Sequence, residues 1–245
     1  MILFIGTKVG IYAASKAAAA GGNPVLTNLT MWWDADSDYV VKDGSDLVSG
    51  WEDRSGNSNH LTGSGAQKPN WIESELNSKD VIRFNNDWMD LPADVSYTGG
   101  NWTCMYVCKI TGLNGTGGQA LFGQDSGSGN TQHFGGPTHT DSLTTGYPYH
   151  NERNTRNRTR SDGNFSGSFA SVVHTQDNIL INDVDGTYGS SDTIDDMKFR
   201  RIGNRTFNTA FYFVGDIAEI LVYSSELSTG DKTTNYDYFT SKYGV

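Results

Sequence analysis

The chain has 245 residues and a formal net charge of −10. That length holds one large all-β domain, or one domain with an appendage. The acidic balance repels phosphate backbones and anionic bilayers, so neither nucleic acid nor a membrane is an expected partner. Clusters of Gly, Asn, Ser, Thr and Asp separate short apolar runs, the pattern of many short strands joined by turns, and aromatics at 12% can fill one core.

The first segment, MILFIGTKVGIYAASKAAAAGG, differs from the polar remainder, with ten apolar residues among its first fourteen. Ile2, Leu3, Phe4 and Ile5 form one short ribbon, and Ile11 centres a second. No basic stretch precedes the run and Lys8 and Lys16 interrupt it, unlike a secretory leader. A transmembrane helix needs about 20 largely uncharged apolar residues, and the segment has no such run. Gly21-Gly22-Asn23-Pro24 reads as a linker. Two readings stay open: a frayed tail or an added strand of the main sheet, or a docking peptide that buries itself in another protein. The expected organisation is an anchoring arm and linker over 1–24 and a folded body over 25–245.

In the body, LTMWWDADSD and LVSGWEDRSGNSNHLTG each pair a strand with a polar turn. KDVIRFNNDWMDLP alternates with period two, Val81 and Arg83 on one side and Ile82 and Phe84 on the other. NWTCMYVCKITG is apolar on both faces, as a strand between two layers is. Its Cys104 and Cys108 lie on one face about 13 Å apart, too far for a disulfide, which needs Cα atoms within about 7 Å. Two free, half-buried thiols are expected, and nothing demands oxidative folding. Residues 124–164 are almost wholly polar; Arg156, Arg158 and Arg160 fall on one face of a candidate strand. SGSFASVVHTQDNILINDVDGTYG reads as two strands, with Asp185-Gly186 as a hairpin turn. MKFRRIGNR and FVGDIAEILVYSSELS are further strands, the latter buried on both faces. The tail ends in a short helix: Ser228 with Asp231 fits a capping box, and Tyr236, Phe239 and Tyr243 share one helical face.

The order of WWDADSD, WEDRSGNSNHLTG, KDVIRFNNDWMDLP and GDIAEILVY…ELS…SKYG resembles the laminin-G-like branch of the concanavalin A-like lectin/glucanase superfamily, over residues 29–245. The resemblance implies an all-β fold: a two-sheet antiparallel jelly-roll sandwich with a short C-terminal helix, here carrying an extended N-terminal arm. It places functional loops at one rim and on the concave face. Trp51 is expected to pack on the core, while Asp53, Ser55 and Asn57 tie a turn and Gly56 relieves a positive φ.

Glucanases of this superfamily carry an E-x-D-x-E strand whose carboxylates perform retaining hydrolysis. The chain has no such motif, and Glu219 stands alone in its apolar strand. The five histidines show no nucleophile or metal spacing, and no phosphate loop is present. The expectation is a non-enzymatic protein. The resemblance also raises a rim Ca²⁺, for which Asp34 and Asp36 in D-x-D-x-D, and Asp53 and Asn57 in D-x-S-x-N, are candidate ligands, against a plain solvated turn. Lectin-like sites combine aromatic faces with amide, carboxylate and hydroxyl groups. His133, Tyr147, Tyr149, Arg156 and Arg158 are the glycan-binding candidates; the arginines can grip acidic sugars or pair with acidic neighbours.

One such module behind a short apolar ribbon looks like a bacteriophage virion surface protein: a capsid decoration, spike or fibre head. Its residues 1–20 would dock into another virion protein, and it would be assembled in the host cytoplasm as a homo-oligomer. Its exposed module would bind host or environmental glycans. The alternative is a bacterial cell-surface or secreted carbohydrate-binding module, or, less in keeping with the motifs, a glycosidase.

Overall fold

The computed structural model describes residues 22–112, 119–124, 133–134, 149–152, 156–160, 162, 167–205 and 211–245. The chain first lays down β1 (Leu29–Asp34), a 3-10 turn over Ser37–Tyr39, β2 (Val40–Lys42), β3 (Val48–Trp51) and β4 (Leu61–Thr62). Longer strands follow: β5 (Asn70–Leu76), β6 (Lys79–Asn85), β7 (Met89–Tyr97) and β8 (Thr103–Ile110). The short β9 (Phe122–Gly123) comes next, and the polar middle supplies β10 (His133–Phe134), β11 (Tyr149–Glu152) and β12 (Arg156–Arg160). The last stretch holds β13 (Ala170–His174), β14 (Ile179–Ile181), β15 (Tyr188–Ser191), β16 (Met197–Ile202), β17 (Val214–Tyr223) and the helix α1 (Thr229–Tyr243).

These strands form two antiparallel sheets. One runs β14-β13-β8-β17-β6-β5, with β1 also paired to β17; the other runs β15-β12-β11-β10-β9-β16-β7-β4-β3-β2. Their inner faces enclose one apolar core, to which Trp33, Phe84 and Tyr106 come from the first sheet and Trp51, Phe122 and Phe199 from the second. The period-two reading of β6 holds: Ile82 and Phe84 enter this core, while Val81 faces the other way. β8 is buried on both faces because it lies between that core and a second apolar layer under α1. The fold is a two-sheet β-sandwich with a helix on the outer face of the seven-stranded sheet.

α1 begins where the capping box places it. The Ser228 Oγ accepts the Asp231 N–H at 3.1 Å and donates to the Asp231 carboxylate at 2.8 Å. It ends at Gly244, whose φ of 76° allows the left-handed cap, with its N–H bonded to the Thr240 carbonyl. Tyr236, Phe239 and Tyr243 bury one face against Met105 and Leu221. A fully buried ring such as Phe239 (0% exposed) contributes roughly 2–3 kcal/mol. No helix among the described residues is long and apolar enough to cross a membrane.

Two local expectations change. The turn after β14 falls at Asn182-Asp183, not Asp185-Gly186. Both residues take positive φ (49° and 63°), and Ile181 and Val184 exchange backbone hydrogen bonds around them. Asn and Asp tolerate that conformation, so the two-residue turn forms before the Asp-Gly pair is reached. Next, Cys104 and Cys108 are free thiols as expected, but fully buried rather than half-buried, and burial raises both above the ordinary thiol range.

Ile2, Leu3, Phe4, Ile5 and Ile11 lie outside the described residues. After the linker, the body is held from Val25 onward. The Val25 N–H donates to the Asn235 side-chain oxygen at 2.8 Å, and its carbonyl accepts the Tyr223 hydroxyl at 3.0 Å. A chain beginning at Asn23 should therefore fold, with a melting temperature within a few degrees of the full chain. A collapse of the melting transition would make residues 1–22 part of the sandwich.

Candidate functional site: a cleft over a buried charge cluster

β17 carries the site because its register slips. Against β8, Ile217 pairs with Cys108 and Glu219 with Val107, leaving Ala218 as an extra residue. Without that bulge, strict alternation would turn Glu219 into the sandwich core beside Ile217, and Ile220 out of it. With it, Ala218 and Glu219 both face α1, while Ile217 and Ile220 stay in the core. The same edge of β17 forks there. Val214–Ile217 pairs with β6, Glu219–Tyr223 pairs with β1, and the Ala35 N–H caps the Ala218 carbonyl.

Pairing of β1 to β17 sets Asp34 opposite Glu219. Glu219 is fully buried and accepts four donors: Trp32 Nε1 (2.6 Å), Tyr238 OH (2.8 Å), Lys242 Nζ (2.8 Å) and Tyr243 OH (2.7 Å). Lys242 Nζ also reaches Asp34 Oδ2 at 2.6 Å, and Arg54 pairs with the same oxygen. The Arg54 guanidinium sits between the rings of Trp32 (3.9 Å) and Tyr39 (4.0 Å). Two carboxylates thus meet two cations. Burial, and then the Asp34 charge, hold the Glu219 carboxyl above its ordinary value; Lys242 and Tyr243 oppose that rise. Burial and the Glu219 charge likewise raise the Tyr238 and Tyr243 hydroxyls.

Above this cluster lies an open cleft of about 560 Å³, within the size range of small-ligand sites. One wall is α1, with Thr234, Tyr238 and Ser241; the other is the turn after β1, with Tyr39. Asn23 of the linker closes one side. Aromatic rings, hydroxyls, an amide and fixed charges therefore share one concave surface.

The four quoted motifs converge on this corner: Trp32 and Asp34 from the first, Asp53 and Arg54 from the second, Lys79 from the third, and Glu219, Lys242 and Tyr243 from the last. Glu219 is accordingly not alone, as its strand suggested; its partners lie on β1 and α1, far off in sequence. Lys242, Arg54, Tyr39 and Tyr238 were not singled out beforehand. The available signal was Glu219 itself, because one acid in an otherwise apolar strand demands a buried partner.

The metal candidates Asp34, Asp36, Asp53 and Asn57 gather here too, and protein donors occupy oxygens of Asp34, Asp36 and Asp53, Asp36 Oδ1 accepting the Asp38 N–H. Asp34 holds Lys242, Arg54 and the Asp36 N–H. Asp53 accepts the N–H groups of Trp32, Ser55 and Asn59. Asn57 donates its amide to the Thr30 carbonyl and Ser55 Oγ. Among the described residues, no group of three or more His, Cys, Asp or Glu side chains is placed to hold a metal. The turn works as the Asx-type tie expected for Asp53, Ser55 and Asn57, with Gly56 at φ 88°, and Trp51 is fully buried with its Nε1–H on the Asp34 carbonyl.

The glycan candidates lie elsewhere. Tyr147 is outside the described residues. His133 is on β10, Tyr149 on β11, and Arg156 and Arg158 on β12, in the far half of the ten-stranded sheet. The register sets Arg156 opposite Glu152 and Arg158 opposite His150.

No protein-family model matches the sequence, and no curated protein matches it at significance. Solved structures match by fold. Domain 4 of AbnA, a GH43 extracellular arabinanase from Geobacillus stearothermophilus in complex with arabinotriose, superposes with a TM-score of 0.57 at 15% identity. The match covers 86% of this chain and 98% of that one. A GH54 α-L-arabinofuranosidase gives 0.53 at 14% identity, covering 80% of this chain and 51% of that one. A Trypanosoma rangeli sialidase mutant displaying trans-sialidase activity gives 0.52 at 13% identity, covering 90% and 34%. The chain thus spans nearly all of the arabinanase domain, but half of the arabinofuranosidase and a third of the sialidase. The shared feature is the β-sandwich, compatible with a concanavalin A-like fold.

Proposed function

We propose that this chain is a non-enzymatic carbohydrate-binding module whose sugar site is the cleft between α1 and the turn after β1. The observation that carries it is the cleft itself, where Tyr39 and Tyr238 stand among hydroxyls, an amide and charged groups held rigid from below. The arabinanase domain solved with arabinotriose supports a sugar ligand for this kind of sandwich. A non-catalytic role is supported by Glu219, which four donors cover completely, leaving no oxygen open to the cleft.

The finer reading is a laminin-G-like head on a virion, docked by residues 1–20 into another virion protein, in several copies. Its support is the apolar ribbon in the sequence, followed by a linker and a body held from Val25 onward. The likeness to a domain of an extracellular arabinanase favours the other setting, a secreted or cell-surface module. Mixing the Asn23-start chain with assembled particles separates the two: folded but no longer incorporated means an arm that docks, and unchanged incorporation rules the arm out as the anchor.

The site is tested by screening neutral, amino and acidic oligosaccharides against the full chain, then repeating with Tyr39→Ala. We expect at least about tenfold weaker binding, or 1.4 kcal/mol, with the fold intact by circular dichroism. If Tyr39→Ala binds normally and Arg158→Ala does not, the sugar site lies on β11 and β12 instead.

A further inference from the structure

We infer that the chain carries a second sugar-binding subsite, for a neutral oligosaccharide, where Trp88 and Tyr212 stack beside the Arg201–Asp90 pair; this rests on the carbohydrate-binding reading above. Asp90 on β7 stands between Met89 and Leu91, both in the core, and Arg201 on β16 precedes the core residue Ile202. Both side chains therefore leave the outer face of the ten-stranded sheet, whereas α1 and its cleft lie outside the other sheet. Arg201 Nε and Nη2 donate to the two Asp90 oxygens at 2.6 and 2.8 Å. The guanidinium lies 4.6 Å from the centre of the Trp88 ring. Tyr212 stacks on Trp88, with ring centres 6.0 Å apart and planes 24° from parallel. Two glycines let the chain close here. Gly203 takes a φ of 93°, and a Cβ on it would strike the Phe84 ring and the Asp87 carbonyl oxygen. A Cβ on Gly123, opposite Arg201, would strike the Asn204 carbonyl oxygen. The segment leaving β16 thus crosses the sheet close to its backbone, and Asn204 bridges to Tyr212 on the segment entering β17.

Trp88 differs from every other tryptophan in the chain. There are six. Five are buried, and their indole N–H groups donate to protein: Trp32 to Glu219, and Trp33, Trp51, Trp71 and Trp102 to backbone carbonyls. Trp88 is half-buried, and among the described residues nothing accepts its N–H and nothing pairs with the Tyr212 hydroxyl. The Arg201 guanidinium has further N–H groups beyond the two that hold Asp90. In the same turn as Trp88, Asp87 gives one oxygen to the Asn85 N–H, and its other oxygen has no donor among the described residues. Two ring faces, several open donors and an open acceptor thus stand together. A sugar ring asks for that combination, with apolar C–H faces and a rim of hydroxyls that both donate and accept. Asp90 and Arg201 cancel in charge, and Asp87 disfavours an acidic sugar.

The test is nitrogen–proton NMR of the indole N–H groups of the full chain, titrated to millimolar concentration with arabinohexaose, xylohexaose and cellohexaose. Trp32 lines the cleft and Trp88 marks the second subsite; each resonance is assigned by its loss in Trp32→Phe or Trp88→Phe. We expect at least one sugar to move both resonances, with different half-saturation concentrations. Tyr39→Ala should leave the Trp88 response in place. Tyr212→Ala should weaken that response about tenfold and leave the Trp32 response unchanged. Should Tyr212→Ala fail to fold, Tyr212→Phe keeps the ring and should weaken the Trp88 response about threefold through the lost hydroxyl. A Trp88 shift that vanishes with Tyr39→Ala is relayed from the cleft and overturns the inference, as does one that neither Tyr212 variant touches. Sugars that move Trp32 alone overturn it while leaving a sugar-binding protein. Sugars that move Trp88 alone uphold it and remove the cleft as the sugar site. Silence of both resonances with all three sugars overturns both readings.

Discussion

Lys242→Met should destabilise the fold by about 3 kcal/mol at neutral pH, the low end of what breaking a buried ion pair costs, since this side chain keeps 18% of its exposure. The substitution leaves Asp34 and Glu219, cross-strand neighbours, with Arg54 as the remaining cation of the cluster. Urea unfolding monitored by tryptophan fluorescence measures the loss. The pH dependence has a definite sign. Glu219 is already held above its ordinary value of 4.5 by burial and by Asp34, and Lys242 is what opposes that rise. Removing Lys242 raises it further, so the folded variant keeps the proton to a higher pH than the unfolded chain does. Stability tied to this group then falls as pH rises above 4.5 and returns as pH drops towards it. The deficit of Lys242→Met should therefore shrink on mild acidification. A deficit constant from pH 7 to 5 would mean that packing, not charge, is what the lysine supplies.

Acidification should cost the native protein in a second place. His174 is fully buried, and loss of hydration pushes it down to about 3 from 6.5. It stacks beside Tyr106 and shares a 2.9 Å hydrogen bond with the Tyr106 hydroxyl. Above pH 6.5 both states hold it neutral. Below that, the unfolded chain gains a proton that the folded chain refuses, so stability falls steadily as pH drops towards 3. The full difference is on the order of 5 kcal/mol, about 2 kcal/mol of it by pH 5. His174→Gln keeps a partner for Tyr106 and removes the titration. Its unfolding midpoint should change less between pH 7 and 5 than that of the native chain, and an identical acid limb in both would assign the loss to other groups.

The fold was largely legible because its signals are local. The two-faced run of β8, the alternation of β6, the Ser228 cap and the Tyr236–Phe239–Tyr243 face each stand within a few residues, and each is present. The hairpin at Asp185-Gly186 was misplaced because Asn182-Asp183 offers the same left-handed tolerance three residues earlier. The cleft was not legible, since its making depends on one extra residue at Ala218. A one-residue slip turns a side chain to the opposite face of a sheet, and nothing in GDIAEILVY tells a regular strand from a bulged one. Lys242 and Arg54 look like ordinary surface cations until β1, β17 and α1 are brought together.

The fork on β17 bears on how the protein is made. The central strand of the seven-stranded sheet is the last strand in the chain, yet β1, β6 and β8 all pair with it. During synthesis those earlier strands emerge with apolar faces and open edges and must wait for their common partner. Such long-range closure is slow and leaves nascent chains prone to aggregate. A ribosome that stalls before residue 214 releases a chain whose seven-stranded sheet has no middle, which makes prompt completion, or a chaperone that holds the waiting strands, a condition of its yield in the cell.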